Sequence, residues 1–204
     1  MTTIYTIGHS NLALERFLDL LEEHGIECVV DVRSYPRSRY VPHFDRHALQ
    51  AALERRGVGY TFMGKLLGGR SPHPEHYPDG KLDYALLVAS PAFGAGLEQA
   101  ASKAQERTVA LMCSEEDPLR CHRGLVIGRH FHENGWEVRH IRAKGEIETH
   151  EDLEDRMQGK DGGLQLGLWQ AAPDLNESYR AQGLRIAPEY RRDLRVRSDE
   201  ERNL

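Results

Sequence analysis

Five short strand-like runs, separated by segments of helical periodicity, are what most limit the architecture open to this chain. Residues 3–7 are rich in β-forming side chains, 26–32 are almost continuously apolar apart from Glu27 and Asp31, and further runs follow at 59–63, 108–112 and 136–141. Between the first two, Leu14, Phe17, Leu18 and Leu21 recur at the spacing of one helical face, and Gly25 stands where a left-handed residue closes a helix. Asp45 is placed to cap a helix carrying Leu49 and Leu53 that Gly57 ends. Tyr84, Leu87 and Val88 open another helical stretch, interrupted at Pro91 and resumed through Phe93, Leu97 and Ala104, and 118–134 reads as one more helix. Strands alternating with helices, with 26–32 apolar enough for a buried parallel strand, predict an α/β three-layer sandwich, with a mainly parallel, Rossmann-like sheet and helices on both faces.

That regularity stops near His150. Residues 1–155 read as a single α/β domain holding a functional cleft, and 156–204 as a polar, partly irregular extension. From Asp174 onward seven basic and seven acidic residues alternate with few apolar ones, the composition of a solvated tail. The stretch 64–80, with Gly68-Gly69 and the closely spaced Pro72, His73, Pro74 and His76, reads as a long loop.

No apolar run approaches the roughly 20 residues a membrane helix needs, and the first residues lack the basic and long apolar regions of a signal peptide. A cytoplasmic protein without a membrane partner is the expectation. Three cysteines without a disulfide-framework spacing fit reduced thiols there. A net charge of −5 argues against coating of DNA by the whole molecule. Between Arg33 and Arg70, however, eight Lys or Arg residues face two acids, a basic island in an acidic chain.

Chemistry-bearing residues collect at the ends of three predicted strands. The first ends in Thr6-Ile7-Gly8-His9-Ser10, the second in Asp31-Val32-Arg33 followed by Pro36-Arg37-Ser38-Arg39, and the run 108–112 ends at Cys113. Residues 111–123 are the densest, with two thiols, three carboxylates, two guanidiniums and an imidazole. Asp117 is placed to cap, and Pro118 to start, the helix that follows. Open α/β sheets bind ligands outside the carboxyl ends of their strands, so His9, Asp31, Arg33, Arg39, Cys113 and Glu115 are expected to share one cleft.

The same residues carry a resemblance. Thr6-Ile7-Gly8-His9-Ser10, Val30-Asp31-Val32-Arg33, Pro36-Arg37-Ser38-Arg39, Pro42-His43-Phe44, Leu67-Gly68-Gly69-Arg70, Leu111-Met112-Cys113-Ser114-Glu115 and Pro118-Leu119-Arg120-Cys121-His122-Arg123 occur in order. Together the pattern resembles the bacterial family catalogued as domain of unknown function 488, over about residues 3–155. The resemblance implies a compact α/β protein and supports this choice of residues, but attaches no reaction to them. Ser114 stands where alanine is common in that family and Leu119 where tryptophan is common; neither departure touches a titratable group.

Guanidinium forks match phosphate and carboxylate geometry, so Arg33, Arg39 and Arg70 are expected to hold an anion. Arg123 either joins them or forms a structural ion pair with Asp31 or Glu115. Ser10 and Tyr60 complete the candidate substrate-binding set, Tyr60 being one of several aromatics on which a base can stack. Glu115 is the candidate general acid/base or charge stabiliser, Asp31 an orienting or assisting carboxylate, and His9 a positioning group or proton relay. Two carboxylates in unlike environments are what glycosidic cleavage uses.

The leading expectation is therefore a hydrolase or transferase acting on a phosphate-bearing nucleotide or nucleic acid, with an N-glycosidic bond among the candidates and no cofactor. Cys28, inside an apolar strand, reads as a core residue. Two alternatives stay open. Cys113 and Cys121 with His122 can centre a cysteine- or metal-dependent enzyme, with His9 a further candidate ligand. Residues 113–120, however, have one residue too many for the cysteine, five residues, arginine loop of phosphatases and rhodaneses, and the spacing matches no standard zinc pattern. The other alternative is a non-catalytic nucleotide or nucleic-acid sensing module. Oligomeric state is not legible.

Overall fold

The five strand-like runs become five parallel strands joined by covering helices, with Cys28–Asp31 and Val109–Cys113 buried at every position. The computed structural model describes residues 2–159 and 174–190. In chain order it forms β1 (Thr3–Gly8), α1 (Leu14–Glu23), β2 (Cys28–Asp31), α2 (Arg46–Arg55), β3 (Gly59–Phe62), α3 (Gly64–Leu67), α4 (Tyr84–Val88) and α5 (Pro91–Glu106). There follow β4 (Val109–Cys113), α6 (Arg129–Glu133), β5 (Glu137–Ile141), β6 (Ile147–Thr149), α7 (His150–Met157) and α8 (Leu175–Ile186). The sheet order is β3-β2-β4-β1-β5-β6, parallel except for the edge strand β6. β6 is too short to leave a periodic signal and went unread in the sequence.

Alternation along the strands divides the core in two. Val30, Val109, Leu111 and Cys113 point to one face, against α5, the segment around Leu125 and α7. Val29, Ala110 and Met112 point to the other, where Phe17, Leu20 and Leu21 of α1 and Leu49 and Leu53 of α2 cover them. This is the three-layer arrangement, and Gly25 at φ 62° and Gly57 at φ 72° close α1 and α2 as left-handed residues. Among the described residues no helix is long and apolar enough to cross a membrane.

Four local readings change. The single helix expected over 118–134 is broken: Pro118–Arg120 makes one tight turn and Cys121 is extended (φ −140°, ψ 140°). Wide π-type turns over Arg123–Gly128 then run into α6. Asp117 caps only the tight turn, accepting from the Leu119 N–H at 3.0 Å. Asp45 precedes α2 but its carboxylate accepts from the Ser38 N–H at 2.7 Å, fastening the preceding loop instead of the helix.

The stretch 64–80 is not open loop. It contains α3 and a turn at Pro74–His76, and the Tyr77 hydroxyl accepts from the Ser71 N–H and donates to the Ser71 carbonyl. Finally, residues 174–190 are not a solvated tail. Tyr179 of α8 is buried under the Arg129 guanidinium, 4.1 Å from its ring centroid, and Gln182 donates to the Leu119 carbonyl at 2.8 Å. α8 fully buries Ser178, Tyr179 and Gly183 and packs Leu175 and Ile186 against the core, a sparse apolar face that gives only a weak hydrophobic periodicity. The remainder of the extension, 160–173 and 191–204, lies outside the described residues.

Candidate functional site

Because β2, β4 and β1 are neighbours in the sheet, their carboxyl ends lie side by side. Gly8 is in register with Cys113, and Asp31 with Met112. The pairing continues past the strand ends: His9 N–H donates to the Cys113 carbonyl at 3.0 Å, and Ser10 N–H to the Ser114 carbonyl at 2.8 Å. Next to these ends opens a cleft of about 220 Å³. Its walls carry Arg33, Arg70, Arg120 and Glu115, with Cys113, Cys121 and His122 also in the lining.

Cys113, Cys121 and His122 are nearly fully buried, at 7%, 3% and 7% exposure, so they form the floor. Their three ligating atoms lie within 4.8 Å of one another. His122 Nδ1 is 3.9 Å from Cys113 Sγ and 3.7 Å from Cys121 Sγ. On the far side of the ring, Nε2 meets the Leu67 carbonyl at 3.0 Å, an acceptor only, so Nε2 carries the proton. The two thiols titrate as a pair. The hydrogen bond to Cys121 and burial push Cys113 well up. For Cys121 burial opposes ionisation, but the hydrogen bond from Cys113, with Arg123 and His122, outweighs it and holds that thiol well down. Cys28, in β2, stays apart from this cluster as a core residue.

The acids beside the thiols are sorted by their partners. Glu116 is held by Arg142 (2.8 Å) and Asp117 by Arg156 (2.7 Å). Burial would raise the Asp117 carboxyl, but its Arg156 and Leu119 hydrogen bonds win and lower it. Glu115 is the one carboxylate among the described lining residues, and it is exposed.

Arg33 reaches the cleft as the head of a buried chain. Its Nε and Nη2 donate to the two Asp31 oxygens at 2.9 and 2.6 Å, and the Tyr60 hydroxyl donates to Asp31 Oδ2 at 2.7 Å. Arg33 Nη1 donates at 3.1 Å to His9 Nε2, while His9 Nδ1–H donates to the Ser10 carbonyl at 2.9 Å. Burial, then the Arg33 charge, lowers the His9 pKa to about 4, so the ring is neutral with both nitrogens committed. Burial first, then Asp31, raises the Tyr60 phenol far above its ordinary range. His9, Asp31 and Tyr60 do not line the cleft; they fix the arginine that does.

Arg123 lies elsewhere than its expected roles. It is fully buried, and its guanidinium donates to the main-chain carbonyls of Glu115 and Glu116 and to Thr6 Oγ1 instead of to a carboxylate. It therefore shapes the 113–117 loop from beneath. Gly8 completes that support, since a Cβ there would fall 1.8 Å from the Glu115 carbonyl oxygen. Arg39 and Ser10 are also outside the lining: Arg39 is exposed on the loop after β2, and Ser10 turns the chain at φ 44°. His9, the fourth candidate metal ligand, is not part of the thiol–imidazole group.

Sequence reasoning missed several contributors. Arg120 and Tyr84 line the cleft, as do Ile186 and Pro188 at the end of α8. It also missed a buried relay from Arg123 to α8. Thr6 Oγ1 meets His140 Nδ1 at 2.8 Å, His140 Nε2 meets His150 Nδ1 at 3.1 Å, and His150 Nε2 meets the Tyr179 hydroxyl at 2.8 Å. Tyr179 donates in turn to Glu154 at 2.7 Å. Donors and acceptors alternate along this line when both histidines are neutral, and burial lowers both, His150 to about 3. The available signal was polar histidine inside strand β5 and at the start of α7, positions that patterning alone treats as surface.

The model of a family described as domain of unknown function DUF488 matches residues 13–129. No curated protein and no solved structure matches the chain.

Proposed function

Because the chain belongs to the DUF488 family, a group defined without an activity, its function has to be argued from the cleft, and we propose that it is a hydrolase or transferase acting on a phosphate-bearing substrate. The observation that carries this reading is the meeting of Arg33, Arg70 and Arg120 with one carboxylate, Glu115, around a single cleft. Arg70 and Arg120 are exposed and enter no ion pair among the described residues, so their guanidiniums are available to an incoming anion. Arg33, spent on Asp31 and His9, contributes a rigid charge at fixed position.

At about 220 Å³ the cleft is below the ~300 Å³ at which ligand pockets usually begin. That size favours a small phosphate-bearing molecule, or the reacting end of a nucleotide or nucleic acid, over a whole duplex. Glu115 acts as general acid/base, or stabilises a cationic centre opposite the bound phosphate. A glycosidic carbon develops such a charge, which is why an N-glycosidic bond leads the candidates. Asp31 and His9 act through Arg33, as positioning residues.

Mass spectrometry of a nucleotide, sugar phosphate and oligonucleotide panel, incubated with wild type and with Glu115→Gln, tests this. Product from the wild type alone, with ligand still bound by the variant, supports the reading. Full turnover by Glu115→Gln removes Glu115 from it. Bound ligand without product from either protein would favour a sensing module.

A further inference from the structure

We propose that Cys113, Cys121 and His122 form a three-ligand site for a thiophilic divalent cation of the zinc class, with its fourth position open to the cleft. Cation binding itself does not depend on the function proposed above; its use in the reaction does.

A tetrahedral zinc ion with bonds of about 2.3 Å to sulfur and about 2.0 Å to nitrogen sets neighbouring S and N ligands about 3.6 Å apart. The two S–N distances here, 3.9 and 3.7 Å, need to close by only a few tenths of an ångström. They are correspondingly long for hydrogen bonds that would hold the group together unaided. The ring is also presented as a ligand: Nε2–H is fixed on the Leu67 carbonyl, so the Nδ1 lone pair points at the two sulfurs. Metal-binding histidines are oriented by just such a second bond.

Backbone conformation explains how a spacing that fits no zinc motif still converges. Cys113 ends β4, while Cys121 is extended and His122 turns into helical conformation at φ −59°, ψ −25°. That change of direction brings two adjacent side chains around one point. Two thiolates and one divalent cation make a locally neutral site, whereas two thiolates alone would repel each other in a buried floor. With Ser34, Arg70 and Tyr84 in the same lining, the open side of the group faces the cleft. Structural zinc sites are closed by four protein ligands; three ligands and an opening fit a site that takes water or a substrate oxygen. Binding exchanges the ion for the thiol protons, which pass to solvent.

The tag-free full chain is stripped with a chelator under reducing conditions and titrated with zinc, then cobalt, against a chromophoric competitor. One equivalent of uptake is expected, with the intense visible bands of tetrahedral cobalt and thiolate-to-cobalt charge transfer. Cys113→Ser and Cys121→Ser should each weaken uptake by about 100-fold or more, at least the loss seen when an outer-shell partner is removed. Should either variant fail to fold, alkylation mapping of the wild type decides: zinc should slow modification of Cys113 and Cys121 and leave Cys28 unchanged. No stoichiometric uptake, uptake unaffected by both serine substitutions, or no protection of the two thiols would each overturn the site. None of these readouts uses turnover. An inactive protein that binds zinc leaves the cation site standing, and an active one that does not bind zinc leaves the arginine and Glu115 reading standing.

Discussion

Gly69 lies so close to the imidazole of His122 that a Cβ there would stand 2.6 Å from both Cγ and Nδ1. Only glycine lets the 68–70 segment pass over the ring while the Leu67 carbonyl holds Nε2. Gly69→Ala is therefore expected to displace the ring, with an overpacking cost of about 1–3 kcal/mol. Urea unfolding reads the stability, and the rate of Cys121 alkylation reads the disturbed sulfur–imidazole contact. A variant with wild-type values for both would show that the ring yields freely and that the glycine has no such role.

Much of this site was legible because buried parallel strands write themselves as apolar runs. Once β1, β2 and β4 were found, the side-by-side placement of His9, Arg33 and Cys113 followed from topology. What stayed hidden was direction. A sequence shows that Arg123 follows His122, but not that its guanidinium passes beneath the loop to main-chain carbonyls, since backbone acceptors leave no residue-type signature. Glu115 stood out in the sequence, but the capture of its neighbours Glu116 and Asp117 by Arg142 and Arg156 of later segments did not, since those partners are distant in the chain. Tyr179 stayed hidden too, because the fully buried part of its helix is one tyrosine, one serine and one glycine, with Leu175 and Ile186 only partly buried at the ends.

Asp31 and Arg33 are 0% and 3% exposed, so neither charge has water to fall back on. Asp31→Asn should cost about 3–5 kcal/mol, because it leaves the guanidinium buried without its counter-charge. Tyr60→Phe removes one hydrogen bond and leaves the ion pair intact, so a loss of about 1 kcal/mol is expected. Denaturant midpoints for the two variants check the ranking. Equal losses would mean that the pair is not the element holding Arg33 in place.

Arg70 and Arg120 stand at the opposite extreme. Both are exposed, so Arg70→Gln and Arg120→Gln should change stability by no more than about 0.5 kcal/mol. Each should nonetheless weaken phosphate or pyrophosphate binding about tenfold, the worth of one charge-assisted hydrogen bond. Calorimetric titration at two salt concentrations checks this, since losing a guanidinium should also flatten the salt dependence. Unchanged affinity in both variants would take the anion out of this cleft.

Three buried histidines set the acid limit of the fold. His9 is held down to about 4 and His150 to about 3, chiefly by burial, and burial lowers His140 well below its ordinary value. In the unfolded chain all three protonate as pH falls through 6.5, the ordinary value, while the folded protein keeps them neutral. The unfolded state then binds more protons, so their stabilising contribution is complete above about pH 6.5 and is lost progressively as pH falls toward the folded values. At pH 5 the loss is about 2 kcal/mol for His9 and for His150 alike. Protonation of His140 or His150 would place a second N–H against a neighbour that already donates, breaking the line from Thr6 to Tyr179. His150→Gln should therefore lower stability at pH 7.5 and flatten the fall between pH 6.5 and 5. Urea midpoints measured across that window decide it: a slope as steep in the variant as in wild type would mean that His150 is already charged in the fold.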